Sequence, residues 1–408
     1  MAKASSTLVD PFASPTKEFY QNPYPIFAKL RSESPVLWSE KGDYWLVTSY
    51  ELGKEILGDL HFEKGARRFK ALDMLAKFLP NNEMLGFSQK SMLNQNPPDH
   101  TRLRSLVNKA FTPSMIAKMR SHIESIANEL LDKVESKGEM DLVADFSFPL
   151  PATVIAEMLG VPVQDRDKFK VWSHALVGVL EPNPRVMNVA KTIHAYKELI
   201  DYLKPLVEER RKEKRDDLIS ALVESEEEGN HLTEAELLSN TVLLLIAGHE
   251  TTTNLIGNSI LALLRNPEQM DVLKQNPDLM PGAVLEFLRY DSPVQMVRRI
   301  ADCELEIGEQ KVMPEQNVIV ALGAANRDPS MFTEPDKLDI ARANAGKHLA
   351  FGHGIHHCLG SSLAETEAQI AVGAVLRRMP NLKLKADKLE YKEPFALRGL
   401  KSLPLTFR

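Results

Sequence analysis

The longest regular pattern of hydrophobic and polar positions is helical and runs without interruption from Thr233 to Asn266. Thr233 and Glu236 have the spacing of a capping box, in which each side chain accepts a hydrogen bond from the other residue's backbone N–H. Pro267 ends the pattern, because proline disfavours a helical residue before it. A helix of this length would be roughly 50 Å long. Residues 243–248 are apolar on every face, so the middle of this helix is predicted to be buried.

Helical periodicity also dominates the rest of the chain. Helices are predicted at residues 24–31, 50–57, 99–135, 141–212 and 361–378, with breaks at internal prolines. Residues 294–321 alternate β-forming residues with turn signals and predict a small antiparallel sheet, and shorter strands are expected at residues 44–48 and after residue 381. Residues 60–97 have no steady period and are predicted to form a long loop with a short helix. The expected fold is mainly α, one helix-rich domain over residues 1–408 with small antiparallel β-sheets.

Composition narrows the class of protein. Hydrophobic residues make up 43% and charged residues 26% of the 408 residues, as in soluble globular proteins. The formal net charge of −6 is too small to indicate a nucleic-acid or membrane-surface partner. No run of about 18 apolar residues is apparent, so no membrane anchor is predicted. Cys303 and Cys358 are the only cysteines, too few for a disulfide framework, and a cytoplasmic location is expected.

Residues 351–360, with the sequence Phe-Gly-His-Gly-Ile-His-His-Cys-Leu-Gly, hold one of these cysteines just before a predicted helix. The glycines allow tight turns that bring backbone N–H groups close to the sulfur of Cys358. The positive end of the following helix favours a thiolate, which is either a nucleophile or a metal ligand. Because Phe351 is large and flat and lies beside this loop, we favour a metal held in a flat macrocycle.

The same segment resembles the cysteine-ligand loop of the cytochrome P450 family, the haem-thiolate monooxygenases. All defining positions of the family pattern Phe-Gly-x-Gly-x-His-x-Cys-Leu-Gly are matched. The resemblance implies heme b as cofactor, Cys358 as the iron ligand, and Phe351, His356 and Gly360 beside the cofactor. A zinc site is the alternative, since three histidines surround Cys358. Zinc usually needs four ligands at defined spacing, and no second cysteine is nearby in sequence.

The middle of the long helix resembles the oxygen-activating segment of the family. Here Ala247 and Gly248 are small, and Glu250 and Thr251 follow them. The resemblance implies that Ala247 and Gly248 border the cofactor, that Thr251 hydrogen-bonds the bound oxygen, and that Glu250 supplies protons through water. From the residues alone, a buried polar patch at a bend in the helix is the alternative. His249 is expected to point away from the cofactor and is given no role.

Four basic residues match positions that bind the haem propionates in the family. His100 and Arg104 are four residues apart, so they lie on one face of a predicted helix. Arg299 lies in the β region, and His356 lies two residues before the cysteine. Burying two propionates requires cations, and these residues would supply them from three separate segments.

Glu286 and Arg289 match the Glu-x-x-Arg pair of the family, which is structural. Their spacing places both on one helical face, an arrangement that is common on helix surfaces and weak evidence by itself. In the family a third basic residue joins the pair. Both Lys337 and Arg342 are candidates here, and the sequence leaves the choice open.

The resemblance implies a monooxygenase that inserts one oxygen atom from O₂ into a C–H bond of a lipophilic small molecule, of the polyketide, fatty acyl or terpenoid and steroid type. Electrons would come from a ferredoxin or flavodoxin with its reductase, because the chain has no glycine-rich motif for FAD or NADPH. The apolar candidates for the substrate pocket are Leu244, Val294, Met296, Val297 and Leu397. A peroxide-driven peroxygenase and a non-catalytic haem sensor or carrier are the alternative functions.

Overall fold

The computed structural model describes residues 9–64, 90–110, 112–177, 188–227, 230–393 and 395–408. Helices account for 57% of the structure, so the mainly α prediction is confirmed. Residues 65–89, most of the predicted long loop, lie outside the described residues. The prediction of a single domain over residues 1–408 stays a prediction.

The described residues contain fourteen α-helices. They are α1 Lys17–Gln21, α2 Tyr24–Glu33, α3 Tyr50–Gly58, α4 Asp99–Ala110, α5 Pro113–Glu135, α6 Pro149–Leu159, α7 Arg166–Val177, α8 Val189–Lys212, α9 Leu218–Glu224, α10 Glu234–Arg265, α11 Pro267–Gln275, α12 Met280–Tyr290, α13 Leu322–Ala325 and α14 Ser361–Arg378. The breaks coincide with prolines at the first helical turn in α5, α6, α11 and α12, where the missing N–H has no intrahelical partner to lose.

Helix α10 is the central element, and its capping box forms as predicted. The Thr233 side chain accepts a hydrogen bond from Glu236 N at 3.3 Å, and the Glu236 carboxylate accepts one from Thr233 N at 2.9 Å. The helix packs against α6 on one side and α14 on another. Because α14 follows the cysteine loop directly, the central helix and this loop belong to the same packed unit.

Twelve short strands accompany the helices in the described residues. They are β1 Val36–Ser39, β2 Tyr44–Val47, β3 Phe62–Glu63, β4 Glu139–Asp141, β5 Glu226–Glu227, β6 Asn230–His231, β7 Val297–Ala301, β8 Leu305–Ile307, β9 Gln310–Val312, β10 Asn317–Val320, β11 Lys383–Leu384 and β12 Pro404–Thr406. The largest sheet has the order β1-β2-β10-β7-β3. Its strands pair antiparallel except β2 and β10, which are parallel, with Asn317 opposite Tyr44.

The parallel pair differs from the purely antiparallel sheet expected from residues 294–321. The reason is that β10 pairs on one side with its neighbour β7 and on the other with β2 from the N-terminal part of the chain. A local pattern contains no information about such a distant partner.

Buried hydrophobic residues form three clusters. The largest, the helical core, surrounds α10. The sheet core lies between the five-stranded sheet and α3. The third, the N-terminal aromatic cluster, is centred on the rings of Phe12, Phe19, Phe27 and Phe395 and includes Met296. One described stretch, Leu142–Leu159, is by length and mean hydropathy able to cross a membrane, although it includes Asp145 and Glu157, and 78% of it is buried inside the fold.

Candidate active site

The cysteine loop is held by backbone hydrogen bonds and by its contact with α3. Cys358 N donates to Phe351 O at 2.9 Å, which closes the loop. Gly352 and Gly354 have φ values of +73° and +70°, a region that favours glycine. A Cβ on Gly354 would lie 2.4 Å from Leu57 O, so this position also needs glycine for space. The predicted tight turn is present, and Gly352 and Gly354 are the two glycines that form it.

The third glycine acts through its backbone N–H, because Gly360 has a φ of −88° that any residue adopts. Burial raises the pKa of the Cys358 thiol, while the Gly360 N–H and the Arg104 guanidinium act to lower it and Glu365 raises it. The net direction is upward, so the loop alone does not favour the thiolate as the sequence suggested. A metal cation bound at the sulfur would displace the proton and reverse this balance.

Five cationic or potentially cationic side chains lie together near this loop, and we call them the cation cluster: Lys64, His100, Arg104, Arg299 and His356. The rings of His100 and His356 are 4.2 Å apart. Burial, followed by Lys64, His100 and the two arginines, lowers the pKa of His356 to about 2. Burial also lowers the pKa of Arg299 to about 10. The four residues predicted from the sequence are thus brought together.

Lys64 was not predicted. It follows β3, and its backbone is fixed by Asn96, whose side chain accepts from Lys64 N at 2.8 Å and donates to Lys64 O at 2.7 Å. Burial, Arg299 and Arg298 hold the pKa of the Lys64 ammonium well below its usual range. No sequence signal singles this lysine out, because it begins the segment without a steady period.

The cation cluster fits a cofactor that carries two carboxylates. Among the described residues, the buried Nε2 atoms of His100 and His356 have no hydrogen-bond partner. The charges that act on Lys64 and His356 are all cationic, so these groups repel one another. Two propionates would neutralise this charge and accept hydrogen bonds from the histidines. Together with the Cys358 sulfur, the cluster is suited to heme b.

The middle of α10 is accessible on one side, which corrects the prediction that it is buried on every face. Ala247 is exposed and Thr251 is partly exposed, and the Thr251 hydroxyl donates to Ala247 O at 2.8 Å. The missing side chain of Gly248 faces α6, since a Cβ there would lie 3.1 Å from Ile155 Cγ1. The small size of Gly248 therefore allows the two helices to pack closely, and its place beside the cofactor stays a prediction.

Glu250 is ion-paired with a lysine from the C-terminal part of the chain. Lys392 Nζ lies 2.7 Å from Glu250 Oε1 and 3.0 Å from Asn254 Oδ1. The pair is largely buried, with side-chain exposures of 19% for Lys392 and 10% for Glu250. Attraction to Lys392 offsets the cost of burying the carboxylate. Sequence analysis missed this lysine because 142 residues separate it from Glu250.

His249 faces away from the accessible side of α10. Its Nδ1 lies 2.7 Å from Leu245 O, and its Nε2 lies 2.9 Å from Ser173 Oγ on α7. A neutral ring with the proton on Nδ1 satisfies both contacts. Burial lowers the pKa of His249, which keeps the ring neutral. The imidazole is therefore a satisfied core group.

The cytochrome P450 family model matches residues 35–400. The chain belongs to the cytochrome P450 family. It is 42% identical to the biotin biosynthesis cytochrome P450 of Bacillus subtilis (strain 168), over 96% of this chain and 98% of the relative. It is 39% identical to the polyketide biosynthesis cytochrome P450 PksS of the same organism, over 96% and 97%.

Among solved structures, P450BioI in complex with an acyl carrier protein ligated to hexadec-9Z-enoic acid aligns with a TM-score of 0.89 and 41% identity. The alignment covers 96% of this chain and 99% of that structure. Cytochrome P450 enzymes bind heme b through a cysteine thiolate. The chain is therefore a heme b-dependent monooxygenase.

The structural pair predicted from the P450 pattern is fully buried. Arg289 donates to both oxygens of Glu286, at 2.7 and 2.8 Å, and both side chains have 0% exposure. Arg342 Nε lies 3.1 Å from each of the same oxygens. The Lys337 side chain points to solvent, with 63% exposure. The structure thus decides the open question in favour of Arg342.

The predicted pocket residues are only partly brought together. Val294 and Leu397 form an antiparallel bridge, and Val297 is partly buried at the edge of the sheet core with Val294. Leu244 lies in the helical core on α10. Met296 packs in the N-terminal aromatic cluster, so its predicted place in the pocket is not supported.

Proposed function

We propose that this P450 hydroxylates long acyl chains, with electrons from a ferredoxin or flavodoxin and its reductase, in the cytoplasm. The observation that supports haem-dependent chemistry is the cation cluster beside Cys358, which is suited to hold the two propionates of haem. The acyl substrate is inferred from solved structures that align with nearly the whole chain. One of them is P450BioI, which is described in complex with a hexadec-9Z-enoic acid-ligated acyl carrier protein. A myxobacterial P450, CYP267B1, is described in complex with myristic acid and aligns with a TM-score of 0.88.

We assign Cys358, not Cys303, as the iron ligand. Cys358 is partly buried within reach of the Arg104 charge, whereas Cys303 is exposed. Lys64, His100, Arg104, Arg299 and His356 would hold the propionates. Phe351 and Gly360 would border the ring on the side of the sulfur, since no described atom lies within 4 Å of a Cβ position on Gly360.

When bound, haem with a thiolate ligand uses two electrons and two protons to insert one oxygen atom of O₂ into a C–H bond and release the other as water. Thr251 lies on the accessible side of α10, where its hydroxyl oxygen can accept a hydrogen bond from water while it donates to Ala247 O. Glu250 holds a carboxylate one residue earlier, anchored by Lys392. Thr251, on the accessible side of the helix, and Glu250, in its largely buried ion pair, would together deliver protons.

Apolar side chains would bind the acyl chain. Val294 and Leu397 are paired across two segments, and Leu244 lies on α10. Burying methylene groups against such side chains stabilises the complex by about 0.8 kcal/mol per group. A long chain can thereby bind without charged contacts along its length.

The substrate is tested with the purified holoenzyme and hexadec-9-enoic acid, both free and as the carrier-protein thioester. We expect a shift of the haem absorbance on binding, and a hydroxylated product with one oxygen-18 atom when labelled O₂ and a ferredoxin system are supplied. Product from hydrogen peroxide alone, without product from donor and O₂, would support the peroxygenase alternative. No shift with any acyl compound would refute the substrate class.

The iron ligand is tested with a matched pair of cysteine variants. Cys303→Ser should keep the absorbance of the reduced carbon monoxide complex that is typical of thiolate ligation. Cys358→Ser should lose it. A Cys358→Ser variant with an unchanged spectrum would refute this assignment.

A further inference from the structure

A second group of potential metal ligands lies outside the haem site, where β3 pairs with the end of β7. The antiparallel register sets Phe62 opposite Ala301. This register places His61 beside Asp302 and Cys303, and Asp302 N donates to His61 O at 3.0 Å. The backbone of the sheet edge therefore fixes the relative position of the three side chains.

The side chains of Asp302 and Cys303 both lie close to Nδ1 of His61. His61 Nδ1 lies 3.1 Å from both carboxylate oxygens of Asp302 and 3.9 Å from Cys303 Sγ. One ligand atom from each residue lies within 4.8 Å of the other two.

The separations of 3.1 Å and 3.9 Å from His61 Nδ1 lie on either side of those around a tetrahedral ion. With Zn–N and Zn–O distances of about 2.0 Å and a Zn–S distance of about 2.3 Å, ligand atoms are roughly 3.3–3.6 Å apart. Small side-chain rotations suffice to reach this geometry, because all three groups are at the surface. A nitrogen, an oxygen and a sulfur suit a borderline ion such as Zn²⁺, whereas Mg²⁺ and Ca²⁺ prefer oxygen ligands.

We propose that His61 Nδ1, an Asp302 carboxylate oxygen and Cys303 Sγ form a surface site for a divalent transition-metal ion of the Zn²⁺ type. Water completes the coordination. When the ion binds, the Cys303 thiol releases its proton to solvent, and the proton that His61 Nδ1 directs at Asp302 is released to solvent or replaced by one on Nε2. His61 N already donates to the Asp59 side chain at 2.9 Å, which holds the turn before β3. No other such group was found among the described residues.

The position of the site gives it a structural consequence. Strand β3 is only two residues long and lies at the edge of the sheet. An ion bound to residues of both segments would fasten β3 to β7. Since Lys64 follows β3 and Arg299 lies on β7, the ion would hold together the two segments that bring these cations to the cation cluster.

The site is tested on the untagged holoenzyme by equilibrium dialysis against Zn²⁺, with the ratio of zinc to haem measured. We expect the unmodified chain to bind one zinc ion per haem. His61→Ala and Cys303→Ser should each bind zinc at least tenfold more weakly. The matched control is His194→Ala, an exposed histidine beside Glu198 on α8, which should bind zinc like the unmodified chain. Asp302→Asn, of nearly the same size, serves as a further variant if His61→Ala fails to bind haem.

A second measurement follows the Cys303 thiol directly. A maleimide reagent should label Cys303 in the holoenzyme, Zn²⁺ should slow the labelling at least tenfold, and a chelator should restore it. Labelling that is unaffected by Zn²⁺ would overturn the proposal. Zinc binding that is the same in all variants would overturn it as well.

Discussion

At the scale of single residues, Arg342 shows what a sequence motif leaves undetermined. The sequence left Lys337 and Arg342 as equal candidates, yet the Lys337 side chain points to solvent. Arg342 reaches Glu286 and also donates to Thr333 O and Lys337 O, so the loop after α13 wraps around its guanidinium. The planar guanidinium of arginine has enough N–H donors to reach all these acceptors at once. The ammonium group of lysine is a single point charge and cannot.

Replacing Arg342 with alanine is expected to lower the free energy of unfolding by about 3 kcal/mol, because Glu286 remains buried with one cation fewer. Lys337→Ala is the matched control and should change it by less than about 0.5 kcal/mol. The midpoint of urea unfolding, followed by tryptophan fluorescence, measures both. Equal effects of the two substitutions would contradict the role given to Arg342.

His348 is expected to make stability depend on pH. Burial, with smaller contributions from His357 and Arg289, lowers the pKa of His348 to about 4. Its Nδ1 accepts a hydrogen bond from Ala350 N at 3.1 Å, which the protonated ring cannot do. Below pH 6.5 the unfolded chain takes up a proton that the folded chain does not bind, so stability falls as the pH falls from about 6.5 to 4.

The contribution of His348 at pH 5 is about 2 kcal/mol. In His348→Gln, the loss of stability between pH 7 and pH 5 should be smaller by this amount. His194→Gln, which changes an exposed histidine, serves as the control. Urea unfolding at both pH values checks this, and identical pH profiles for His348→Gln and the unmodified chain would refute it.

At the scale of elements, two glycines of α10 differ in what surrounds them. Gly248 faces Ile155 on α6, and its lack of a side chain sets the distance between the two helices. Gly257 lies on the same helix, with no described atom within 4 Å of its Cβ position. The helical pattern predicted α10 and its cap well, but it could not show which glycine makes a contact.

Gly248→Ala should lower the free energy of unfolding by about 1–3 kcal/mol through overpacking against Ile155. Gly257→Ala should raise it by about 0.5–1 kcal/mol, because alanine restricts the unfolded chain and favours the helix. Urea unfolding of both variants is the test. Adding Ile155→Val should recover part of the loss from Gly248→Ala, and no recovery would contradict the contact.

Secondary structure was predictable where it depended on local patterns, and less so where it depended on distant partners. Proline positions and the capping box located most helices. The turn of the cysteine loop followed from Gly352 and Gly354. By contrast, the partners Lys392 of Glu250 and β2 of β10 come from remote parts of the chain, and no neighbouring residue indicates them.

At the scale of the whole molecule, the cation cluster is assembled from segments that are far apart in sequence. His100 and Arg104 lie on α4, Arg299 on β7 and His356 in the cysteine loop. These four were predicted because each matches a family position. Lys64 was found only in three dimensions, because a single lysine near a turn is usually a solvated surface charge.

Removal of haem should make stability sensitive to salt. Without propionates the cations of the cluster repel one another, and ions screen this repulsion. The melting temperature of the haem-free chain should therefore rise more than that of the holoenzyme between about 0.02 M and 0.5 M sodium chloride, where the screening length falls several-fold.

The rise in melting temperature with salt should be smaller in haem-free Lys64→Gln. Lys311→Gln, which removes an exposed lysine, should leave this rise unchanged. Differential scanning calorimetry of haem-free and haem-loaded samples measures the effect. An equal response to salt in both forms would contradict repulsion within the cluster.

The parallel pairing of β2 with β10 has a consequence for synthesis of the chain. The hairpin of β1 and β2 leaves the ribosome early, but β10 is translated only after most of the chain has emerged. At roughly 5–20 residues per second, the delay is on the order of tens of seconds. During this time the edge of β2 that later pairs with β10 has no strand partner. An unpaired strand edge can pair with other chains, so the order of synthesis leaves this edge open until β10 is inserted.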